Sequence, residues 1–253
     1  TTRIPDPRRA TARRRPIVPL IPLPNAFADA ATNMAIDAAL LDSLPSGIAV
    51  FRHYGWTEPC FTFGYTQRLA EVRAACPQDL RLCRRLTGGG IVDHRNDWTY
   101  CLAVQAELSA AQTPATALYA AIHDCVRQAL AAQSIDSQLA PCPRQCDAPA
   151  PAGPAQCFVQ PTANDVLHAN GTKIAGAAMK RTRAGLLIQG SIERGALPDD
   201  FDYAAFANAF QQTLARQLAI PIGCSEDLRT LFNGARIRAA RERFASQAWL
   251  NKR

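Results

Sequence analysis

The feature that most constrains this chain is a loop at residues 84–90, which holds two arginines, a leucine, a threonine and three consecutive glycines. It lies between an apolar run ending at Cys83 and another reaching Val104, which predicts a tight loop joining two strands. Glycine lacks a Cβ, so its backbone N–H groups can approach an anion closely, and arginine adds forked cationic donors. The pattern predicts a cradle for a phosphate or carboxylate, although a glycine run also occurs in simple tight turns.

Positive charge is concentrated at the start of the chain. The 253 residues can bury a sizeable core, and the net charge is +7. Residues 1–15 hold six arginines against one aspartate, so the remainder is close to neutral. We expect residues 1–24 to be a disordered Arg/Pro-rich tail and residues 25–253 to be one folded domain. A nucleic-acid or membrane patch is the alternative for the tail.

Targeting and redox signals are weak. Six prolines between residues 5 and 24 would break the amphipathic helix of a transit peptide, and no apolar run is long enough for a signal segment or a membrane span. We therefore expect a cytoplasmic protein without nucleic-acid or membrane partners. The nine cysteines are odd in number and scattered, which favours reduced, buried thiols. Cys142 and Cys146 have no histidine at ligand spacing, so we expect no permanently bound metal.

Hydrophobic spacing predicts alternating helices and strands. Residues 48–53 and 60–64 are interpreted as a hairpin, and Thr32 as the N-cap of the first helix. Asn170-Gly171 is a hairpin signal that places Lys173 two residues beyond the turn. The predicted helices are 33–43, 114–132, 202–219 and 235–249, and the other predicted strands are 97–104, 165–168, 172–179 and 186–192. Residues 140–161 form a proline-rich loop, and a long loop of this kind tends to be functional or disordered.

Three segments resemble one family. Residues 84–94 (RRLTGGGIVDH) resemble the RRxTGGGxVxH signature of the lipoate-protein ligase and lipoyl(octanoyl) transferase family. Residues 171–176 (GTKIAG) resemble its G-x-K-I-x-G motif, and residues 243–251 (RFASQAWLN) resemble the end of its catalytic domain. The resemblance implies an α+β fold with a mixed, mainly antiparallel sheet packed with helices. This is the biotin/lipoate protein ligase catalytic-domain fold, whose core is like that of class II aminoacyl-tRNA synthetases, here without an accessory C-terminal domain.

The resemblance also implies a site for an activated carboxylic acid. An adenylating enzyme needs donors around the α-phosphate and the acyl carbonyl, with Mg²⁺ to neutralise ATP. Lys173 is the expected catalytic residue, and Asp165 the expected Mg²⁺ ligand. The expected nucleotide-binding and acyl-binding residues are Arg84, Arg85, Thr87, Gly88, Gly89, Gly90, His94, Asn164, Asp165, Gly176 and Gln189. Gln189 stands where the family usually has a histidine, so no acid–base role is assigned there.

A cysteine-dependent route competes with adenylation. Cys157-Phe158 with Pro161 resembles the C-F-x-x-P nucleophile segment of octanoyltransferases, and residues 94–100 (HRNDWTY) are similar to their H-x-x-E-L-T-Y. In such an enzyme Cys157 would take an octanoyl group from acyl carrier protein as a thioester.

We favour the first route, ATP-dependent ligation of lipoate or octanoate, because Asn164-Asp165 matches the ligases and the triple glycine is intact. The alternatives are the octanoyltransferase and a non-catalytic homologue that only binds a carrier domain. Expected partners are lipoyl carrier domains, in 2-oxoacid dehydrogenase subunits or a glycine cleavage H-type protein. Acyl carrier protein and a separate accessory-domain protein are further expected partners.

Overall fold

Two sheets organise the fold in a computed structural model that describes residues 19–141, 161–224 and 234–252. The strands in chain order are β1 (Leu20–Pro22), β2 (Ala26–Ala28), β3 (Ala49–Trp56), β4 (Cys60–Phe63), β5 (Arg81–Arg84), β6 (Val92–Asp93), β7 (Asp97–Gln105), β8 (Gln138–Leu139), β9 (Val166–Leu167), β10 (Lys173–Arg181) and β11 (Gly185–Glu193). The helices are α1 (Ala30–Ser43), α2 (Leu69–Ala75), α3 (Ser109–Gln112), α4 (Ala115–Ala131), α5 (Tyr203–Gln217), α6 (Gly234–Ala245) and α7 (Gln247–Leu250), with a 3₁₀ turn at Arg194–Ala196.

The larger sheet runs β1-β3-β7-β11-β10-β9-β8, and β2 also pairs with β3. β1 and β2 lie parallel to β3, and the other neighbours are antiparallel. Helices α4 and α5 cover one face and α1 and α6 the other, which explains why β7 and β11 are buried along almost their whole length. The smaller sheet, β5-β4-β6, carries the glycine loop between β5 and β6. The predicted α+β class with a mixed, mainly antiparallel sheet is confirmed.

The predicted hairpin of residues 48–53 and 60–64 is wrong. β3 pairs with β7 in the larger sheet, and β4 pairs with β5 and β6 in the smaller one. All four residues of β4 are buried, as are the first four of β3, so each strand needs neighbours on both edges. A two-stranded hairpin supplies only one such neighbour. The chain between the strands therefore crosses from one sheet to the other.

Two boundaries also differ from the predictions. α1 begins after Asp29, whose carboxylate accepts a hydrogen bond from the Thr32 backbone N–H at 2.7 Å, so Thr32 is not the cap. Residues 19–24 do not belong to a disordered tail, because Leu20 and Ile21 are fully buried and β1 pairs with β3. Residues 1–18 lie outside the described residues, as do Cys142, Cys146 and Cys157.

The other predicted elements are present near their expected bounds. β9 and β10 form the antiparallel hairpin around Asn170-Gly171, and Gly171 has φ +88°. The last predicted helix is divided at Ser246, whose hydroxyl caps α7 by accepting from the Trp249 N–H. Within the described ranges, no helix is both long and apolar enough to cross a bilayer.

Candidate functional site

A narrow cleft lies between the glycine loop, β10, β11 and α1. Its apolar lining is Met34, Tyr54, Trp56, Val92, Ala177 and Ala178, and its polar lining is Thr62, Arg85, His94, Thr99, Gln189 and Ser191, with Gly89, Gly90, Gly176 and Gly190 supplying backbone. A mainly apolar wall with a few fixed polar groups suits a ligand that has an aliphatic chain and a polar end.

Arg85 holds the glycine loop in shape. Its guanidinium donates to the carbonyl oxygens of Gly88 and Gly90, both at 2.8 Å, and to Thr62 Oγ1 at 2.8 Å. Gly89 has φ +83°, a backbone conformation that residues with a Cβ rarely adopt. A Cβ on Gly88, in contrast, would meet open space. Arg85 both lines the cleft and stabilises its wall, so its charge has a structural task that the sequence did not reveal.

Arg84 does not lie on the cleft. The residue is 1% exposed, and its guanidinium donates to the backbone oxygens of Tyr65 (2.6 Å), Gln67 (2.7 Å) and Leu250 (2.8 Å). The prediction that Arg84 would bind phosphate is not supported by this position. The guanidiniums of Arg84 and Arg85 bind different groups, so the two residues have different roles.

Gln189 links the glycine loop to α1. Its amide oxygen accepts from Thr87 Oγ1 at 2.7 Å, and its amide nitrogen donates to Asp37 Oδ2 at 2.7 Å. Asp37 also pairs with Arg52 at 2.7 Å, and both side chains are at most 2% exposed. Burial, followed by the negative charge of Asp37, raises the pKa of the neighbouring Tyr54 well above its usual range. The predicted Thr87 and Gln189 thus meet, whereas Asp37 and Arg52 were not predicted as site residues.

His94 is fixed between a hydroxyl and a carboxylate. Its Nε2 lies 2.7 Å from Thr62 Oγ1, and its Nδ1 lies 2.8 Å from Asp97 Oδ2. Arginine can only donate, so Thr62 accepts from Arg85, and the Thr62 hydroxyl and the Asp97 carboxylate together hold the imidazole ring of His94 from both sides.

Asp97 is kept ionised at the base of the cleft. Burial opposes ionisation, but the combined contacts of His94, Ser191 and Thr99 lower the pKa of the Asp97 carboxyl. Its Oδ1 is buried and has no hydrogen-bond partner among the described residues. Sequence reasoning left Asp97 out of the site, although it lies three residues after His94 in a segment singled out for its resemblance.

Lys173 approaches the same cleft from the hairpin. Its side chain is 2% exposed, and its Nζ lies 2.6 Å from Asp165 Oδ2. A Cβ on Gly176 would lie 2.8 Å from both Cε and Nζ of Lys173, so the ammonium rests on a glycine that lines the cleft. Gly89 and Gly90 of the first motif and Gly176 of the second therefore line one cleft, and Lys173 packs against this Gly176.

Asp165 is positioned by a turn that packs on α4. Its Oδ2 also accepts from the Thr162 N–H (2.6 Å) and hydroxyl (2.9 Å). Asn164 has φ +68°, and its carbonyl accepts from His123 Nδ1 at 2.5 Å, which places the ring proton on Nδ1. His123 Nε2 is buried and has no hydrogen-bond partner within the described ranges, and burial is the main cause that lowers the pKa of His123.

Comparison with known proteins places these features in context. The family model described as the lipoyl protein ligase A/B catalytic domain matches residues 29–219. The octanoyltransferase LipM of Oceanobacillus iheyensis is 30% identical over 176 residues, which are 67% of this chain and 62% of that protein. LipM of Geobacillus kaustophilus is 32% identical over 171 residues, which are 64% of this chain and 60% of that protein. The chain thus spans about three fifths of the length of these curated relatives.

A solved structure has the same fold. It is a bi-partite lipoate protein ligase from Thermoplasma acidophilum, described with its E2 lipoyl domain. The TM-score is 0.66 at 17% identity, covering 93% of this chain and 96% of that chain. At this identity the likeness concerns the fold alone.

Proposed function

Because the chain belongs to the lipoyl protein ligase A/B catalytic domain family, we propose that it transfers an octanoyl group from acyl carrier protein to a lysine of a lipoyl carrier domain. The observation that carries this proposal is the match to octanoyltransferases over 67% of the chain. The buried ammonium beside an apolar cleft agrees with it. The sequence alone favoured ATP-dependent ligation, and the relatives support the octanoyltransferase alternative better.

The first half-reaction is a thioester exchange. The thiolate of Cys157 attacks the carbonyl carbon of the octanoyl thioester and forms a tetrahedral oxyanion. The bond to the carrier's sulfur then breaks, and that sulfur leaves as a thiolate that takes a proton from solvent. Cys157 lies outside the described residues, so its role rests on the resemblance of its segment.

The second half-reaction forms the amide. The ε-amino group of the carrier-domain lysine attacks the octanoyl-Cys157 carbonyl, the carbon–sulfur bond breaks, and the proton lost by nitrogen goes to the departing thiolate. Lys173 serves both halves, because its ammonium can donate to the oxyanion of each tetrahedral intermediate. Asp165 keeps this ammonium in place, and burial strengthens its field.

The apolar cleft binds the acyl chain and keeps water from the thioester. Met34, Trp56 and Ala178 supply contact surface, and Arg85 and His94 are held by hydrogen bonds at the polar end, with Asp97 behind His94. Gln189 acts as a structural link, since both ends of its amide are engaged by Thr87 and Asp37.

The second candidate is an ATP-dependent lipoate ligase, which is favoured by the fold shared with the T. acidophilum protein. The residues expected to hold ATP and Mg²⁺ fit this reaction less well. Asp165 is already paired with Lys173, and Arg84 donates to backbone carbonyls away from the cleft. We therefore route no step through the nucleotide or the metal.

Two parallel assays test the choice: octanoyl transfer from octanoyl-carrier protein to a lipoyl domain, and lipoate-dependent ATP–pyrophosphate exchange. We expect transfer without exchange, and loss of transfer in Cys157→Ser but not in the control Cys224→Ser, which changes an exposed free thiol. Exchange with unchanged transfer in Cys157→Ser would overturn the proposal. Carrier-domain binding without turnover of either donor would instead identify a non-catalytic homologue.

A further inference from the structure

Three cations gather on two aromatic rings beside the glycine loop. The rings of Tyr65 and Trp249 are 5.9 Å apart. Lys180 Nζ lies 5.4 Å from the centre of Tyr65, and Lys252 Nζ lies 5.7 Å from Tyr65 and 4.9 Å from Trp249. The Arg243 guanidinium lies 4.8 Å from the centre of Trp249. We call these five residues the mouth cluster.

The mouth cluster borders the cleft. The Tyr65 N–H donates to the Thr87 carbonyl at 2.8 Å, which attaches the cluster to the glycine loop. Lys180 lies two residues after Ala178 on β10, and residues two apart on a strand share a face. Because Ala178 lines the cleft, Lys180 extends that wall outwards.

The mouth cluster is built on a buried anchor. Arg84 donates to the Tyr65 carbonyl (2.6 Å) and the Leu250 carbonyl (2.8 Å), and its own carbonyl accepts from Trp249 Nε1 at 2.9 Å. One buried guanidinium therefore fixes both aromatic platforms relative to each other. This arrangement gives Arg84 a task that its motif did not suggest.

No carboxylate of the described ranges neutralises the charge of the mouth cluster. Within the described ranges, Lys180, Arg243 and Lys252 form no ion pair with a carboxylate. Three like charges on neighbouring rings repel one another, and an anion bound among them would offset that repulsion. Phosphate fits this setting, because its several oxygens can accept from more than one cation at once.

The spacing identifies which phosphate fits. The side chain of Lys173 folds back over Gly176. Lys180 is four residues beyond Gly176 on β10, which is roughly 13 Å of strand. In the thioester arm of an acyl carrier protein, the chain between the sulfur and the phosphodiester is about as long as four extended residues, roughly 14 Å. An arm with its thioester at Lys173 would therefore bring its phosphate to Lys180.

We propose that the mouth cluster binds the phosphate of the phosphopantetheine arm that carries the octanoyl group. This inference rests on the proposed function, since it names the part of the acyl donor that is recognised. It also assigns Lys180 and Lys252 to donor binding rather than to catalysis.

Binding and kinetics test the mouth cluster separately from the overall reaction. Calorimetry would compare phosphopantetheine with pantetheine on the wild type, on the double variant Lys180→Gln with Lys252→Gln, and on the control Arg238→Gln, which removes an exposed charge of α6 outside the cluster. We expect the wild type and the control to bind the phosphorylated compound about tenfold more tightly, and the double variant to lose this preference.

With octanoyl thioesters of the same two compounds, the double variant should show about a tenfold higher KM for the phosphorylated donor. Its kcat, and its rates with octanoyl-pantetheine, should stay unchanged.

Equal binding of both compounds by the wild type would overturn the inference, even if transfer is observed. Phosphate-dependent binding without transfer by the wild type would support the inference and count against the proposed function. Loss of ATP affinity in the double variant, with unchanged phosphopantetheine binding, would assign the cluster to a nucleotide and overturn the inference.

Discussion

The two walls of the cleft hold their positive charges differently. On the glycine-loop wall, the Arg85 guanidinium donates to two loop carbonyls and a threonine hydroxyl, so its planar fork holds the wall's shape. On the hairpin wall, Lys173 is a compact ammonium on a flexible stem, paired with Asp165 and resting on Gly176. The difference indicates that the protein's stability depends more on the first wall and its activity on the second.

The largest expected effect tests the hairpin wall. Lys173→Met removes the donor to the oxyanion, so the rate of octanoyl transfer should fall by about 10²–10³-fold. The variant also leaves Asp165 without its ammonium, so the matched control is Lys173→Met combined with Asp165→Asn. The double variant should regain thermal stability but not activity. A Lys173→Met enzyme with full activity would show that the ammonium is not part of the reaction.

The glycine-loop wall should respond in stability. Arg85→Met leaves the carbonyls of Gly88 and Gly90 without a buried donor, and we expect the free energy of unfolding to fall by about 2–4 kcal/mol in urea titrations. The control is Arg95→Met, which removes an exposed arginine of the same loop region and should leave the free energy of unfolding close to that of the wild type. Equal losses in the two variants would remove the distinction between the walls.

A smaller change displaces the ammonium without removing it. In Gly176→Ala the new Cβ would lie 2.8 Å from Lys173 Nζ, and the flexible end of the lysine can move to make room. Transfer should slow by about tenfold while the melting temperature stays near that of the wild type. Gly88→Ala is the matched control, because a Cβ there meets open space. If both variants are equally active, the position of the ammonium over Gly176 does not matter.

The smallest effect concerns the support of the hairpin wall. Burial, the largest cause, lowers the pKa of His123 below its ordinary value of 6.5, so the folded protein binds fewer protons than the unfolded chain. The stability from His123 is therefore fully present above pH 6.5 and is lost as pH falls towards the folded pKa, by at most about 1.4 kcal/mol per pH unit.

His123→Asn keeps a side-chain N–H for the Asn164 carbonyl but cannot titrate. Urea unfolding between about pH 7.5 and about pH 5 should therefore give a flatter stability curve for this variant. Parallel curves for the wild type and the variant would contradict the assignment of a buried neutral imidazole.

The local patterns were predictable from the sequence, and the partners of buried charges were not. The glycine loop, the Asn170-Gly171 hairpin and the long strands follow from residue type and spacing alone. Asp37 and Arg52 lie within apolar runs, where periodicity treats them as interruptions, yet buried charges in such positions require partners. Their pairing with each other depends on the packing of α1 against β3, which no local pattern contains. Alternation continued one residue beyond the end of β5 could have separated Arg84 from Arg85, because adjacent residues of an extended segment face opposite ways.

The link from α1 through Gln189 to Thr87 has a consequence for acid tolerance. An amide neither gains nor loses a proton across the biological range, so Gln189 itself keeps one charge and the same donor and acceptor groups in neutral and acidic media. An imidazole in the same place would become a cation on acidification, so the charge at this point of the structure would change with pH. Acidification therefore leaves the charge of the residue that joins α1 to the glycine loop unchanged.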